Sequence, residues 1–311
     1  MPLDHELKLD RARQHLDKLQ SATALWLADY RCTIRQEYDP DASMASDTYP
    51  AAPEGGNYML GAPVVMPGYT APSGELEFGR GILGAYIDEV PDKQIPDLFG
   101  LLIGDLLHNL RSSLDTLAYA LMLAGPNTVT EKMKSGSEFP IFGDEDTAGR
   151  AGCGAKMFAD AGRKYVNWKP GAQACVEGLQ PYKRGQDFRD DPLWILHDLD
   201  RINKHRYLHV STAYGLGALW QPTETRNLRA FGPGMLRSYS GRVESGAPVM
   251  RILGIHLADP SQDVYVEVHP AVDVVFSAET PTVGERPVIE TVALLYNHVA
   301  VEVIPSLSKY L

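Results

Sequence analysis

The chain has 311 residues, 44% hydrophobic and 22% charged, so it can bury a substantial core as one large domain or two small ones. A formal net charge of −11 repels polyanions overall, and contact with nucleic acid would need a local basic patch. The longest apolar candidate, Leu98 to Leu110, is interrupted by Asp105 and His108 and falls short of the roughly 18 residues that span a bilayer, so no membrane partner is expected.

From Asp4 to about Ala28, Leu9, Ala12, Leu16, Leu19, Thr23 and Leu27 recur at helical spacing, which predicts a long amphipathic helix. Tyr30 to Tyr38 alternates as a strand, and Asp39 to Asn57, rich in Pro, Ala, Ser, Asp and Gly, reads as a loop. Tyr58 to Met66 and Glu75 to Val90 look like strands. Pro96 opens a helix that stops at Gly125-Pro126. Short helices are expected over Lys156 to Val166 and Gly171 to Gly178, and a capped helix over Pro192 to about His209. From Val210 to Phe276 the chain is β-rich, and Pro287 to Tyr310 closes it as a helix with Val288, Val292, Leu295, Val299 and Val303 on one stripe. The expected class is therefore α+β: a helical core of four long helices (near 4–28, 96–124, 192–209 and 287–310) packed on an antiparallel sheet, with β-rich segments 30–90 and 210–276. No long linker is visible, which favours a single compact domain over 1–311. Cys32, Cys153 and Cys175 form neither a zinc pattern nor a disulfide framework, and the charged N-terminus lacks a signal core. The expected location is the cytoplasm.

Two helical words concentrate the chemistry. The first is Leu107-His108-Asn109-Leu110-Arg111-Ser112-Ser113-Leu114-Asp115, and the second is Leu196-His197-Asp198-Leu199-Asp200-Arg201-Ile202-Asn203-Lys204-His205-Arg206. On the first helix Ile103, Leu106, Leu107, Leu110, Leu114, Leu117 and Leu121 share a face, and His108, Arg111 and Asp115 lie together at its border. The polar face carries no Lys or Glu, only short, shape-specific groups suited to a hydrogen-bonded network or a site. On the second helix Ile195, Leu199 and Ile202 point inward. His197, Arg201, Lys204 and His205 form a cationic stripe bracketed by Trp194 and Leu208.

Two imidazoles near Arg can run acid–base cleavage of a phosphodiester, with Arg and Lys stabilising the charged transition state. The candidate catalytic residues are His108, Arg111, His197 and His205. The candidate ligand-binding residues are Asn109, Asp115, Trp194, Arg201 and Lys204. Asp105, His108, His197 and His205 are an alternative metal set, but they match no metal signature, so neither a metal nor another cofactor is assigned. The partners expected are RNA, a nucleotide or another anionic ligand. A non-catalytic binding protein and two purely structural polar seams are the competing readings.

Gly104 to Leu117 and Leu196 to Arg206, with Glu138-Phe139-Pro140-Ile141-Phe142 and Leu179-Gln180-Pro181-Tyr182 between them, resemble a set of uncharacterised actinobacterial and phage proteins. That resemblance spans roughly Val90 to His209, implies a phage or defence setting, and carries no activity. More distantly, Arg111 and the residues after it resemble the Arg-x4–6-His signature of HEPN ribonucleases, which implies metal-free RNA cleavage across a homodimer. Thr116 stands where that signature expects its His, and threonine is no base near neutral pH.

Overall fold

The computed structural model describes residues 4–42, 57–58, 64–65, 81–145, 149–205, 210–215, 224–231, 236–280 and 282–311. Most of the loop expected over Asp39 to Asn57, much of both strands expected between Tyr58 and Val90, and the end of the second motif helix from Arg206 to His209 lie outside these residues. The fold is α+β, and the chain forms two compact units. A helical unit comprises Met1–Leu25, Ile95–Ser211 and Val274–Leu311, and a sheet unit comprises Trp26–Gln94 and Thr212–Asp273.

The helix α1 (Asp4–Ala28), in the helical unit as far as Leu25, buries Ala12, Leu16, Leu19 and Thr23, the middle of the stripe its spacing predicts, and half-buries Leu9 and Leu27 at the ends. The next helix, α2 (Asp97–Leu123), buries Ile103, Leu106, Leu107, Leu110, Leu114, Leu117 and Leu121, and leaves Asp105, His108 and Tyr119 exposed. It stops where Gly125 meets Asn167: a β-carbon at Gly125 would lie 1.6 Å from the Asn167 carbonyl oxygen. Asn167 takes a positive φ of 75° and donates from its amide to the Met122 and Asn127 carbonyls at 2.9 and 3.0 Å. Its own amide oxygen accepts from the Asn127 N–H at 2.8 Å. One side chain thereby caps the helix end, whose last carbonyls have no partner within the helix.

Three short helices follow, α3 (Glu131–Gly136), α4 (Gly154–Asp160) and α5 (Pro170–Gly178), and then α6 (Pro192–His205). At the C-terminus α7 (Val288–Asn297) runs through a wider π-helical turn, His298–Val303, into α8 (Ile304–Ser308). Pro305 accounts for the irregularity, because it has no N–H to give the preceding turn and its ring crowds that turn's carbonyl. Val288 to Ser308 is long and apolar enough on average to cross a membrane, with Glu290 and Glu302 in the span. Its expected stripe of Val288, Val292, Leu295, Val299 and Val303 is buried within the protein, as in a core helix.

In the sheet unit, five antiparallel strands run in the order Ile34–Asp39, Ile82–Ile87, Pro248–Leu253, Leu236–Ser238 and Asn57–Tyr58. The first pair is in register from Ile34 opposite Ile87 to Asp39 opposite Ile82. The edge strand Ile34–Asp39 starts with half-buried and exposed residues in alternation, whereas its central neighbours are almost wholly buried, with Leu83, Ala85, Ile87, Val249, Met250 and Ile252 in the core. The register slips between Pro248 and Met250, the position at which a proline in a sheet is tolerated.

Candidate functional site

The site lies within the helical unit, where α2 and α6 cross. Gly104 permits the close approach, since a β-carbon there would lie 2.6 Å from the Asn203 side-chain oxygen. Around that contact the apolar faces bury Leu107, Leu110 and Leu114 on one helix and Leu196 and Leu199 on the other. The polar borders are drawn together with them. Asp200, with its side chain only 4% exposed, sits between His108 of α2 and Lys204 of its own helix. Lys204 Nζ reaches Asp200 Oδ2 at 2.6 Å, whereas His108 Nδ1 stands 3.9 Å from Asp200 Oδ1, too far for a hydrogen bond. Asp200 Oδ1 is buried and has no hydrogen-bond partner.

One turn further along α2, Arg111 and Asp115 grip the extended segment after α3. Arg111 Nη2 donates to the Phe139 carbonyl at 2.8 Å, and Asp115 Oδ1 accepts from the Phe139 N–H at 3.0 Å. The pair therefore reads both polar groups of one residue, as a neighbouring strand would. The same Nη2 lies 3.0 Å from Asp115 and 3.1 Å from Glu138, and Glu138 is also bridged by Lys164 at 2.6 Å. Burial pushes the Asp115 carboxyl up despite Arg111 and the Phe139 N–H. Burial would push Glu138 up as well, but the hydrogen bond and charge of Lys164, aided by Arg111, hold it below the usual carboxylate range. Arg111, read from sequence as a catalytic group, is thus buried and shared between two carboxylates. Asp115, read as a ligand contact, is its partner in the grip. The other terminal nitrogen, Arg111 Nη1, is buried without a hydrogen-bond partner.

His197 faces this network from α6. Burial, then the charge of Arg111, lowers its pKa to about 4, so the imidazole is neutral at pH 7. Its ring packs against Trp194 at 5.8 Å between centroids. Trp194 meets Phe188 edge-on at 4.9 Å and lies over Gly143, where a β-carbon would be 2.9 Å from the indole. It is therefore a packing residue for the adjoining loop as well as a cover for His197. Arg201 is exposed and pairs through Nε with Asp198 Oδ1 at 3.1 Å, while the other oxygen of Asp198 accepts from the Thr282 hydroxyl. Asn109 donates to the Asp105 carbonyl one turn back at 2.7 Å. His205 is the last residue of α6, and its side chain lies outside the described residues.

The two polar borders therefore meet across α2 and α6, through His108 with Asp200, Lys204 near Asp115 and Arg111 near His197. The pattern of cations was legible; the buried acids that hold them were not. Asp198 and Asp200 alternate with the cationic stripe and read as solvated charge, and Glu138 and Lys164 lie far from either motif. The available signal was Glu138-Phe139-Pro140, a charged residue leading an apolar run beside no helix pattern. Among the described residues no group of three or more His, Cys, Asp or Glu side chains is placed to hold a metal ion. No protein-family model, curated protein or solved structure matches the chain.

Proposed function

We propose that the helical unit binds a nucleotide or the end of an RNA strand on the α2–α6 seam, without cleaving it. One observation carries this reading: the seam holds a buried donor and a buried acceptor, Arg111 Nη1 and Asp200 Oδ1, neither of which has a hydrogen-bond partner. Buried polar groups are almost always satisfied, so such a pair fits a ligand that brings its own acceptor and donor. A phosphate supplies the first and a sugar hydroxyl the second. Arg201 and Lys204, each more than half exposed above buried carboxylates, and the exposed His108 would meet the phosphate from the solvent side. The net charge of −11 then restricts binding to this patch and favours small ligands over long polyanions.

The non-catalytic reading is preferred to HEPN-like cleavage for two reasons. His197, with a pKa of about 4, is neutral near pH 7 and holds no imidazolium proton for a leaving group, and Thr116 stands where the HEPN signature places its histidine. A homodimer is not required for binding. The three free cysteines fit a reducing, cytoplasmic setting, and a phage or defence context is compatible with a nucleotide ligand.

The test is thermal unfolding of the full chain with AMP, ADP and a short 5′-phosphorylated RNA, in EDTA, with the RNA analysed for cleavage afterwards. The reading expects the unfolding temperature to rise with ligand concentration, by several degrees at saturation, and the RNA to remain intact. The rise should vanish in the surface variant Arg201→Ala/Lys204→Ala. If no ligand shifts the transition, or the variant shifts equally, the seam does not bind nucleotides. RNA cleavage that is lost in His108→Ala would restore the catalytic reading.

A further inference from the structure

A concavity lies in the helical unit beside α3, and shares Glu138 with the Arg111 network. It has a volume of about 800 Å³ and is lined by α3 and its flanks together with Lys164 and Val166. That is the size of a small-molecule pocket. Three features of its wall belong together. Lys132 is exposed and has no carboxylate partner among the described residues, and Lys164 stands on the same wall. The Ser137 hydroxyl oxygen is buried without a hydrogen-bond partner. Met133 and Val166 add apolar surface, with Val166 37% exposed.

We infer that this cavity binds a small organic anion with an apolar body, such as an aromatic carboxylate or sulfonate. Lys132 and Lys164 face the acid group, the Ser137 hydroxyl donates to one of its oxygens, and Met133 and Val166 pack against the body. Glu138 also lines the cavity, but its charge is already met by Lys164 and Arg111, so it does not close the site to an anion. Lys164 Nζ spends one of its three donors on Glu138 and keeps others for a ligand. A bare phosphate would leave the apolar wall unused, which is the reason for assigning an amphiphilic acid. The inference is independent of nucleotide binding on the α2–α6 seam.

The experiment is a fluorescence titration of the full chain with 8-anilinonaphthalene-1-sulfonate, an aromatic sulfonate that brightens in apolar surroundings. Wild type should show one saturable site. Lys132→Glu, a surface change, should weaken binding at least tenfold, and Val166→Trp, which fills the cavity, should abolish it. Lys309→Glu, at the far C-terminus, should leave the affinity unchanged. Circular dichroism checks that each variant is folded, and Lys132→Glu decides the matter if Val166→Trp is not. Absence of a saturable site, or a site indifferent to Lys132→Glu, overturns the assignment.

Discussion

Replacing Arg111 with Met should release the segment after α3 without emptying the core. The Met side chain keeps most of the apolar stem and removes only the guanidinium. Three contacts of Nη2 are lost: the Phe139 carbonyl at 2.8 Å, Asp115 at 3.0 Å and Glu138 at 3.1 Å. Phe139 is fully buried, so its carbonyl loses a charge-assisted bond with little access to water, which costs about 2 kcal/mol. Asp115 and Glu138 are 38% and 47% exposed, so water screens them once Arg111 is gone and their share is about 1 kcal/mol or less. A total of about 3 kcal/mol corresponds to a more than hundredfold larger open population. Native-state hydrogen exchange read on a peptide covering residues 138–141 measures that opening directly. Asp115→Asn should expose the same peptide, and the double variant should fall short of the sum by about 1 kcal/mol, because both residues hold Phe139. If exchange rises less than tenfold in Arg111→Met, Arg111 is not holding this segment, and its buried charge needs another explanation.

Three further outcomes follow from the helical unit. His197 has a folded pKa of about 4, below the ordinary 6.5, so the unfolded chain takes up the proton first as pH falls. Stability should therefore decline from about pH 6.5 towards pH 4, by at most about 3 kcal/mol and nearer 2 with partial exposure of the ring. Melting temperatures at pH 7 and pH 5 should converge in His197→Gln, and an unchanged pH dependence would contradict the assignment. Gly125→Ala drives a β-carbon into the Asn167 backbone oxygen and should cost on the order of 3 kcal/mol in urea unfolding; a neutral result would mean that the loop yields freely. Asn167→Ala should be worse than Asn167→Gly by about 1 kcal/mol, because both lose the cap but only Ala bears the strain of a positive φ. Equal costs would show that hydrogen bonding alone selects Asn there.

Periodicity by itself determined which faces of the helices are buried. The leucine stripe of α2 and the valine stripe of the C-terminal helix are inside, because burying apolar surface leaves a helix with such a pattern few other orientations. The described strands Ile34–Asp39, Ile82–Ile87, Pro248–Leu253 and Ala271–Phe276 fall in segments that read as β-rich, but which strands pair was not visible: Ile82–Ile87 lies beside Pro248–Leu253, far away in sequence. Only the tertiary structure decided the chemistry of the motifs. Arg111 looks like a catalytic group on a helical wheel, and becomes a clamp once Phe139 is brought against it from 28 residues away. Asp198 and Asp200 look solvated in a charged run, and become buried holders of Arg201 and Lys204 once Thr282 is brought to the first and α2 to the second. The pKa of His197 depends in the same way on burial and on the charge of a residue in another helix. A side chain's type and spacing are local, whereas its charge, solvation and partners are set by whatever the fold packs against it.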